Sequence, residues 1–386
     1  MLKRGVLLIG FLSTFSLSLA QHHEAAAETK PATETKVVSA EEAEKEQIKK
    51  ENKEFIDHHL LDAHSFDIMV EKKADGTEHH IGFPLPVIFY DEANGLHAFM
   101  SSEFHHGKEM KDAHGKKYYV VESKGAYYAL YHEKIVKTDA SGAITLDDHG
   151  HATNAKVLDL SITKSVLMIL CASLLMIVIF GSMARNYKKS PIPTGAGKLF
   201  EPLVIFIRDE IAIPNIGPKY HKYISYLLTI FFFILFLNVF GLLPFGINVT
   251  GNLAITAALA IFTFIITQFT ANRNYWQHIF WMPGLPFLMK LVMIPIELIG
   301  MIIKPFALLI RLFANMSAGH IVIMSLIAMI YYFQNVIAGV AFPFLTFVLY
   351  LLEILVAFLQ AYIFTMLSAV YFGMANEEHH HEEAHH

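Results

Sequence analysis

Three ionisable residues and one amide recur on a single helical face of an otherwise apolar stretch. Glu297, Lys304 and Arg311 are spaced seven apart, and Asn315 follows four residues after Arg311. At 100° per residue these side chains fall within a sector of about 40°. His320 comes nine residues after Arg311 and points to the opposite side. A second apolar stretch carries Glu353 and Gln360, again seven apart and on one face. A charged group at the centre of a membrane helix costs about 2.5–3.5 kcal/mol on insertion scales, so such residues are read as functional by default. Arg311 cannot lose its charge. Two polar zones on different faces and at different depths, with a fixed positive charge between them, suit an ion path that must not be an open pore. An ion enters one zone and leaves by the other, and the arginine repels cations from the direct route. The plainer reading is a buried network that only locks helices together, and Lys304 could reach an interface through its flexible stem. Asn238 and Asn252 are further polar candidates, accessory to this set.

The elements that must hold these residues are membrane spans. The chain has 386 residues, 54% hydrophobic and 17% charged, and its long apolar runs all lie after residue 160. A net charge of -5 argues against nucleic acid as a partner. The single cysteine, Cys171, sits in an apolar run; it allows no internal disulfide and is expected to be a small packed residue. Val166–Met183 is a first span, followed at once by Arg185, Lys188 and Lys189, which mark a cytoplasmic loop. The stretch "KLFEPLVIFIRDEI" places Leu203, Val204, Ile207 and Ile211 on one face and is expected to lie along the inner surface. Ile224–Leu243 and Leu253–Thr270 cross out and back, with the uncharged turn "PFGINVTGN" outside and Arg273 inside. Phe287–Phe333 has no polar loop, and as one helix it would be about 70 Å long, over twice the bilayer core. It is either a tight hairpin or a slanted helix bent near Pro295, Gly300 and Pro305. Val336–Met374 is similar. The fold class expected is an all-α polytopic membrane protein of about five membrane helices, the last two long and slanted, plus a small mainly β N-terminal extramembrane domain.

Residues 1–20 read as a signal peptide: Lys3 and Arg4, an apolar run, and Ser18-Leu19-Ala20 before Gln21. Residues 21–55 are a flexible charged arm. Residues 56–155 hold short β-branched and aromatic runs, "PLPVIFY", "KKYYVVES", "AYYALYHEKIV" and "GAITL", separated by turn signals such as "ADGT" and "DASG". They predict a small periplasmic β-rich domain. Residues 156–376 form the membrane domain and 377–386 a His/Glu-rich cytoplasmic tail. Histidines are frequent in the β-rich region, among them His58, His59, His79, His80, His105 and His106. They could capture a metal ion, or serve as surface groups or proton buffers. A metal-ion permease with such a capture domain is therefore an alternative. It would need histidine or acidic ligands at the bilayer midplane and often an internal repeat. No repeat is evident and the midplane group is an arginine.

"LLIRLFANMSAGH" and "LLEILVAFLQAYIFTMLSAVY" resemble subunit a of the F-type ATP synthase membrane sector, as do "LNVFGLLPFGINVTGNLAIT" and "IELIGMIIKPFALLIR". The resemblance covers roughly residues 156–376. It implies a non-catalytic, proton-translocating stator subunit of the bacterial inner membrane, without cofactor or metal. The partners it implies are c-ring proteolipid subunits, b subunits of the peripheral stalk, other ATP synthase subunits and membrane lipid. By this resemblance Arg311 matches the family's essential arginine facing the c-ring, and Asn315 and Gln360 match polar positions beside it. Glu297 matches the acidic position toward the exit path. His320 and Glu353 match a paired entry site whose carboxylate and imidazole are exchanged in many bacterial members, which suggests direct interaction. The chain contains no phosphate-binding loop, so nucleotide chemistry belongs to other subunits.

Overall fold

The computed structural model describes residues 62–72, 78–112, 117–147, 152–190, 192, 194–243, 248–281, 286–333 and 336–377. The expected signal peptide, charged arm, "ADGT" turn and nearly all of the His/Glu-rich tail lie outside these residues.

Alternating β-branched and aromatic residues build the N-terminal sheets. β1 (Ser65–Lys72) pairs antiparallel with β2 (Glu78–Pro84). β3 (Pro86–Asp91) pairs with β4 (Gly95–Met100) on one side and with the short β9 (Leu158–Asp159) on the other. After a single helical turn, α1 (Ser102–His106), a meander forms from β5 (Lys108–Lys111), β6 (Lys117–Ser123), β7 (Ala126–Tyr131) and β8 (Lys134–Thr138). The run "AYYALYHEKIV" becomes two strands, because His132 and Glu133 take positive φ (47° and 59°) and turn the chain. The expected strand in "GAITL" does not form. Leu146 makes only an isolated bridge to Ala152. The Asn154 side chain occupies the place of a ladder partner, accepting from the Thr145 backbone N–H at 2.8 Å and the Thr145 hydroxyl at 3.1 Å. Val87, Phe89, Phe104, Val121, Tyr128 and Ile135 pack the three-stranded sheet and α1 against the meander.

Among the described residues of this domain, the buried His64, Asp91 and His97 are each partnered. Asp91 accepts from Lys137 Nζ at 2.7 Å and Tyr128 OH at 2.9 Å. The Lys137 bond outweighs burial and holds the carboxyl at about 2. His97 bonds Ser123 Oγ through Nδ1 (2.9 Å) and Tyr128 OH through Nε2 (3.2 Å), and burial pushes its pKa down. His64 lies between Asp159 (2.9 Å) and Glu133 (3.3 Å). Burial opposes its charge, yet the bonds to Asp159 and Glu133 overcome that and raise it to about 9.

The same region joins the sheets to the first membrane helix, α2 (Lys164–Tyr187). Thr163 caps α2, and Asp62 accepts from both the Thr163 hydroxyl (2.9 Å) and the Ser165 N–H (3.1 Å). Such charge-assisted capping stabilises a helix start. Phe66 of β1 packs on Met168, Ala172, Leu237 and Val249.

Beyond α2 come α3 (Gly197–Phe206), a π-helical turn Ile207–Ala212, α4 (Ile213–Ile216) and a 3-10 segment Gly217–Lys222. Then follow α5 (Ile224–Leu242), α6 (Leu253–Thr270), α7 (Arg273–Phe280), α8 (Phe287–Phe333) and α9 (Val336–Asn376). Among the described residues five helices are long and apolar enough to span: α2, α5, α6, Phe287–Met329 of α8 and Gly339–Asn376 of α9. The protein is a multi-pass membrane protein with a small β domain. α8 continues as one helix through Pro295 and Pro305, which excludes the hairpin. At about 70 Å it exceeds the hydrocarbon core by so much that it must incline steeply. Cys171, expected to be packed, is exposed on α2. Ile207, Ile211 and Ala212 are completely buried against α5 and α9, so this face packs into the helical core instead of resting only on a surface. Close approach there depends on Gly373, since a Cβ at that position would collide with the Asn215 carbonyl oxygen. Small residues Ala357, Ala361, Thr365, Ser368 and Ala369 line the buried side of α9, the composition that lets membrane helices approach closely.

Candidate functional site

Arg311 lies on α8 next to an inward stripe of Leu308, Leu312 and Met316, all buried. Arg311 and Asn315 themselves are exposed, and so are Ile303, Phe306 and Ile310 around them. The guanidinium thus stands on an apolar outward face. Among the described residues no carboxylate lies within ion-pair distance of it. Tyr371 of α9 is within its electrostatic reach.

On one side of Arg311, toward the C-terminal end of α9, lies the first polar zone. Lys304 is two turns away, about 10 Å along the axis. Its Nζ sits 5.7 Å from the Tyr371 ring centre and 3.9 Å from Met374 Sδ. Glu297 is partly buried one seven-residue repeat further on. Thr263, Thr267, Gln268 and Tyr275 join Lys304 and Tyr371 around a cleft with room for about one water molecule. Gln268 donates to Tyr275 OH at 3.4 Å, while its buried Oε1 has no hydrogen-bond partner. Thr263, Thr267, Gln268 and Tyr275 were not among the candidates that the sequence offered. A signal existed: Thr256, Thr263 and Thr267 recur at helical spacing in an apolar span and are all buried.

The second zone lies at the other end, beside the loop joining α5 to α6. Asn248 donates to the Met316 carbonyl (3.2 Å) and Ser317 donates to the Gly251 carbonyl (3.3 Å), pinning that loop to α8. His320 is partly buried, and its Nε2 is buried without a hydrogen-bond partner. Glu353 of α9 lays its carboxylate directly over Gly319, the residue before His320, in the space a Cβ would fill. No ion pair or hydrogen bond joins His320 to Glu353, so the two are neighbours rather than a bonded pair. Gly319 was not foreseen as part of this zone. Tyr350, one turn from Glu353, donates to the Leu242 carbonyl at the end of α5.

Gln360 is buried between the two zones on α9. Asn238 is fully buried and joins helices: it donates to the Ala357 carbonyl (3.1 Å) and accepts from Thr250 (2.9 Å). Asn252 caps α6, its Oδ1 accepting from the Ala254 N–H at 3.0 Å. Both amides hold backbone together. Chemically, the site consists of a cation, Arg311, exposed at mid-helix with no ion-pair partner among the described residues, and two separated sets of polar and titratable groups.

The chain is a member of the family described as ATP synthase A chain, whose model matches residues 166–373. It is 48% identical over 227 residues to "ATP synthase subunit a 2" of Chlorobaculum tepidum, an alignment covering 56% of this chain and 64% of that protein. Against "ATP synthase subunit a" of Chloroherpeton thalassium it is 49% identical over 238 residues, covering 59% of this chain and 70% of the relative. The corresponding protein of an Anaeromyxobacter species is 41% identical over 257 residues, covering 62% of each chain. Residues 55–160 match a second family, a Domain of unknown function (DUF8433).

Proposed function

We propose that the membrane domain is the stationary proton-translocating subunit of an F-type ATP synthase, working against a ring of c subunits. The reading is carried by Arg311, a guanidinium with no ion-pair partner among the described residues, exposed on an apolar face with a polar zone to either side. A proton enters beside His320, Glu353 and Asn315 and neutralises a ring carboxylate. The neutral group can then turn through lipid without carrying charge into hydrocarbon. As it comes round to Arg311, the positive charge favours its ionised form. The proton then leaves past Glu297, and Lys304, Gln268 and Tyr275 line the way. The transmembrane potential contributes about 2.3 kcal/mol per charge per 100 mV, and the offset of the two zones converts it into rotation of one sense. The exposed faces of α8 and α9 would follow the ring wall. In this reading the β domain is periplasmic, after removal of residues 1–20, the C-terminus is cytoplasmic, and b subunits hold the chain against rotation.

The test is Arg311→Ala in the reconstituted complex. ATP-driven acidification of vesicles should vanish, with passive proton leak retained. Normal pumping by this variant would end the proposal. A metal permease would need a group of imidazole and carboxylate ligands in the spans. Among the described residues no three such side chains could hold an ion together.

A further inference from the structure

The β4-β3-β9 sheet has an outer face that does not suit water. Its inner face carries Val87, Phe89, Asp91, His97 and Phe99 toward the meander. Pleating sends the alternate residues outward, and an antiparallel sheet with one solvated face normally shows polar side chains there. Here Ile88 and Tyr90 come from β3, Leu96 and Met100 from β4, and Leu158 and Leu160 from the β9 segment. The register sets Tyr90 between Leu96 and Leu158, so these side chains form one surface. Leu158 and Leu160 are 62% and 57% exposed, and Tyr90, Leu96 and Met100 are exposed as well. A contiguous apolar patch of this kind marks an interaction surface.

Its position identifies what covers it. Leu160 N–H donates to Ile88 O (2.8 Å) and Ile162 N–H to Pro86 O (3.0 Å), so sheet pairing continues to the Thr163 cap of α2. Leu160 is therefore within about 14 Å of the start of a membrane helix. Exposed apolar surface resumes on α2 at Val166, Leu170 and Leu174. Phe66 already packs at the level of Met168 and Ala172, below the first turn of α2. Phe83, stacked on Phe66 at 4.8 Å, is itself exposed. The base of the β domain thus reaches the first turns of α2; where a membrane helix begins, the headgroup layer is about 5–8 Å thick on each side of the core, a zone that a tyrosine suits. We propose that the outer face of this sheet rests on lipid, in the leaflet where α2 begins. This depends on α2 being a membrane helix and is independent of the proton path.

The test uses the full chain with Cys171→Ser, one copy per nanodisc of phosphatidylethanolamine and phosphatidylglycerol. Nitroxide labels are placed singly at Leu158→Cys, Leu96→Cys and, as a control on the meander, Glu122→Cys. Collision with oxygen relative to a water-soluble nickel chelate should be severalfold higher at positions 158 and 96 than at 122. A ratio equal to the control overturns the proposal, because the face is then in water. Low collision with both reagents also overturns it, because protein then covers the face. In Leu158→Asp/Leu160→Asp, the ratio at position 96 should fall to the control value; an unchanged ratio in a folded variant counts against lipid contact. If that variant does not fold, the labels in the parent sequence decide alone.

Discussion

The β domain and the two long helices treat charge in opposite ways. His64, Asp91 and Lys137 are each tied to an opposite charge, at 2.7–3.3 Å. On α8 and α9, Arg311 has no ion-pair partner among the described residues and His320 Nε2 has no hydrogen bond. A paired charge stabilises a fold and loses value if one partner is removed. An unpaired one costs stability and persists where it has work to do on something outside its own chain. The difference separates groups that hold the molecule together from groups available for transfer.

The comparison breaks most severely at Arg311. Arg311→Lys keeps the charge but loses the delocalised fork, and ATP-driven pumping should fall at least about a hundredfold, the scale of losing a preorganised electrostatic donor. Thermal unfolding of the purified subunit should barely change; full pumping would place Arg311 among the structural charges. Next in size is the exchange His320→Glu/Glu353→His. If the two groups are coupled, the double variant should pump about tenfold faster than either single variant; strictly multiplicative losses would show them to be independent. On the paired side, His64→Ala strands two carboxylates and should destabilise the β domain by about 3 kcal/mol, measured by denaturant unfolding, with pumping per folded complex little altered. Gly319→Ala should move the two readouts in opposite directions. The helix gains up to ~1 kcal/mol, while the displaced Glu353 carboxylate lowers pumping severalfold. The smallest effect is the pH response of His64. Its folded pKa of about 9 lies above its ordinary 6.5, so its contribution is complete below about pH 6.5 and fades as pH rises to about 9. Hydrogen exchange at Ile162 and Lys164 should accelerate across that window; exchange independent of pH, after correction for intrinsic rates, would remove His64 from the clamp.

Run length and polar spacing make the spans legible in the sequence, because a membrane helix must satisfy its backbone internally and be apolar over its whole length. Leu253–Thr270 has the same bounds in sequence and structure. The spacing of Arg311 and Asn315 put them on one face of a helix, and both are exposed on α8; that this face points outward was not in the spacing. Contacts across long separations were not legible. The seat of Glu353 on Gly319, the bond from Asn238 to Ala357 and the clamp from His64 to Asp159 join residues that no local pattern relates. The burial of Ile207 and Ile211 was hidden because one apolar face fits lipid and protein equally well. "GAITL" misled because strand propensity describes a fit to neighbours, and its neighbour contributed a side-chain amide.

The seam at Thr163 has a mechanical consequence. Since Leu160 and Ile162 remain paired to β3 up to the residue before the Thr163 cap of α2, no slack segment separates sheet from helix. Any twist imposed on α2 is delivered to the β domain as to the arm of a bracket, and drag on that arm resists the twist in turn.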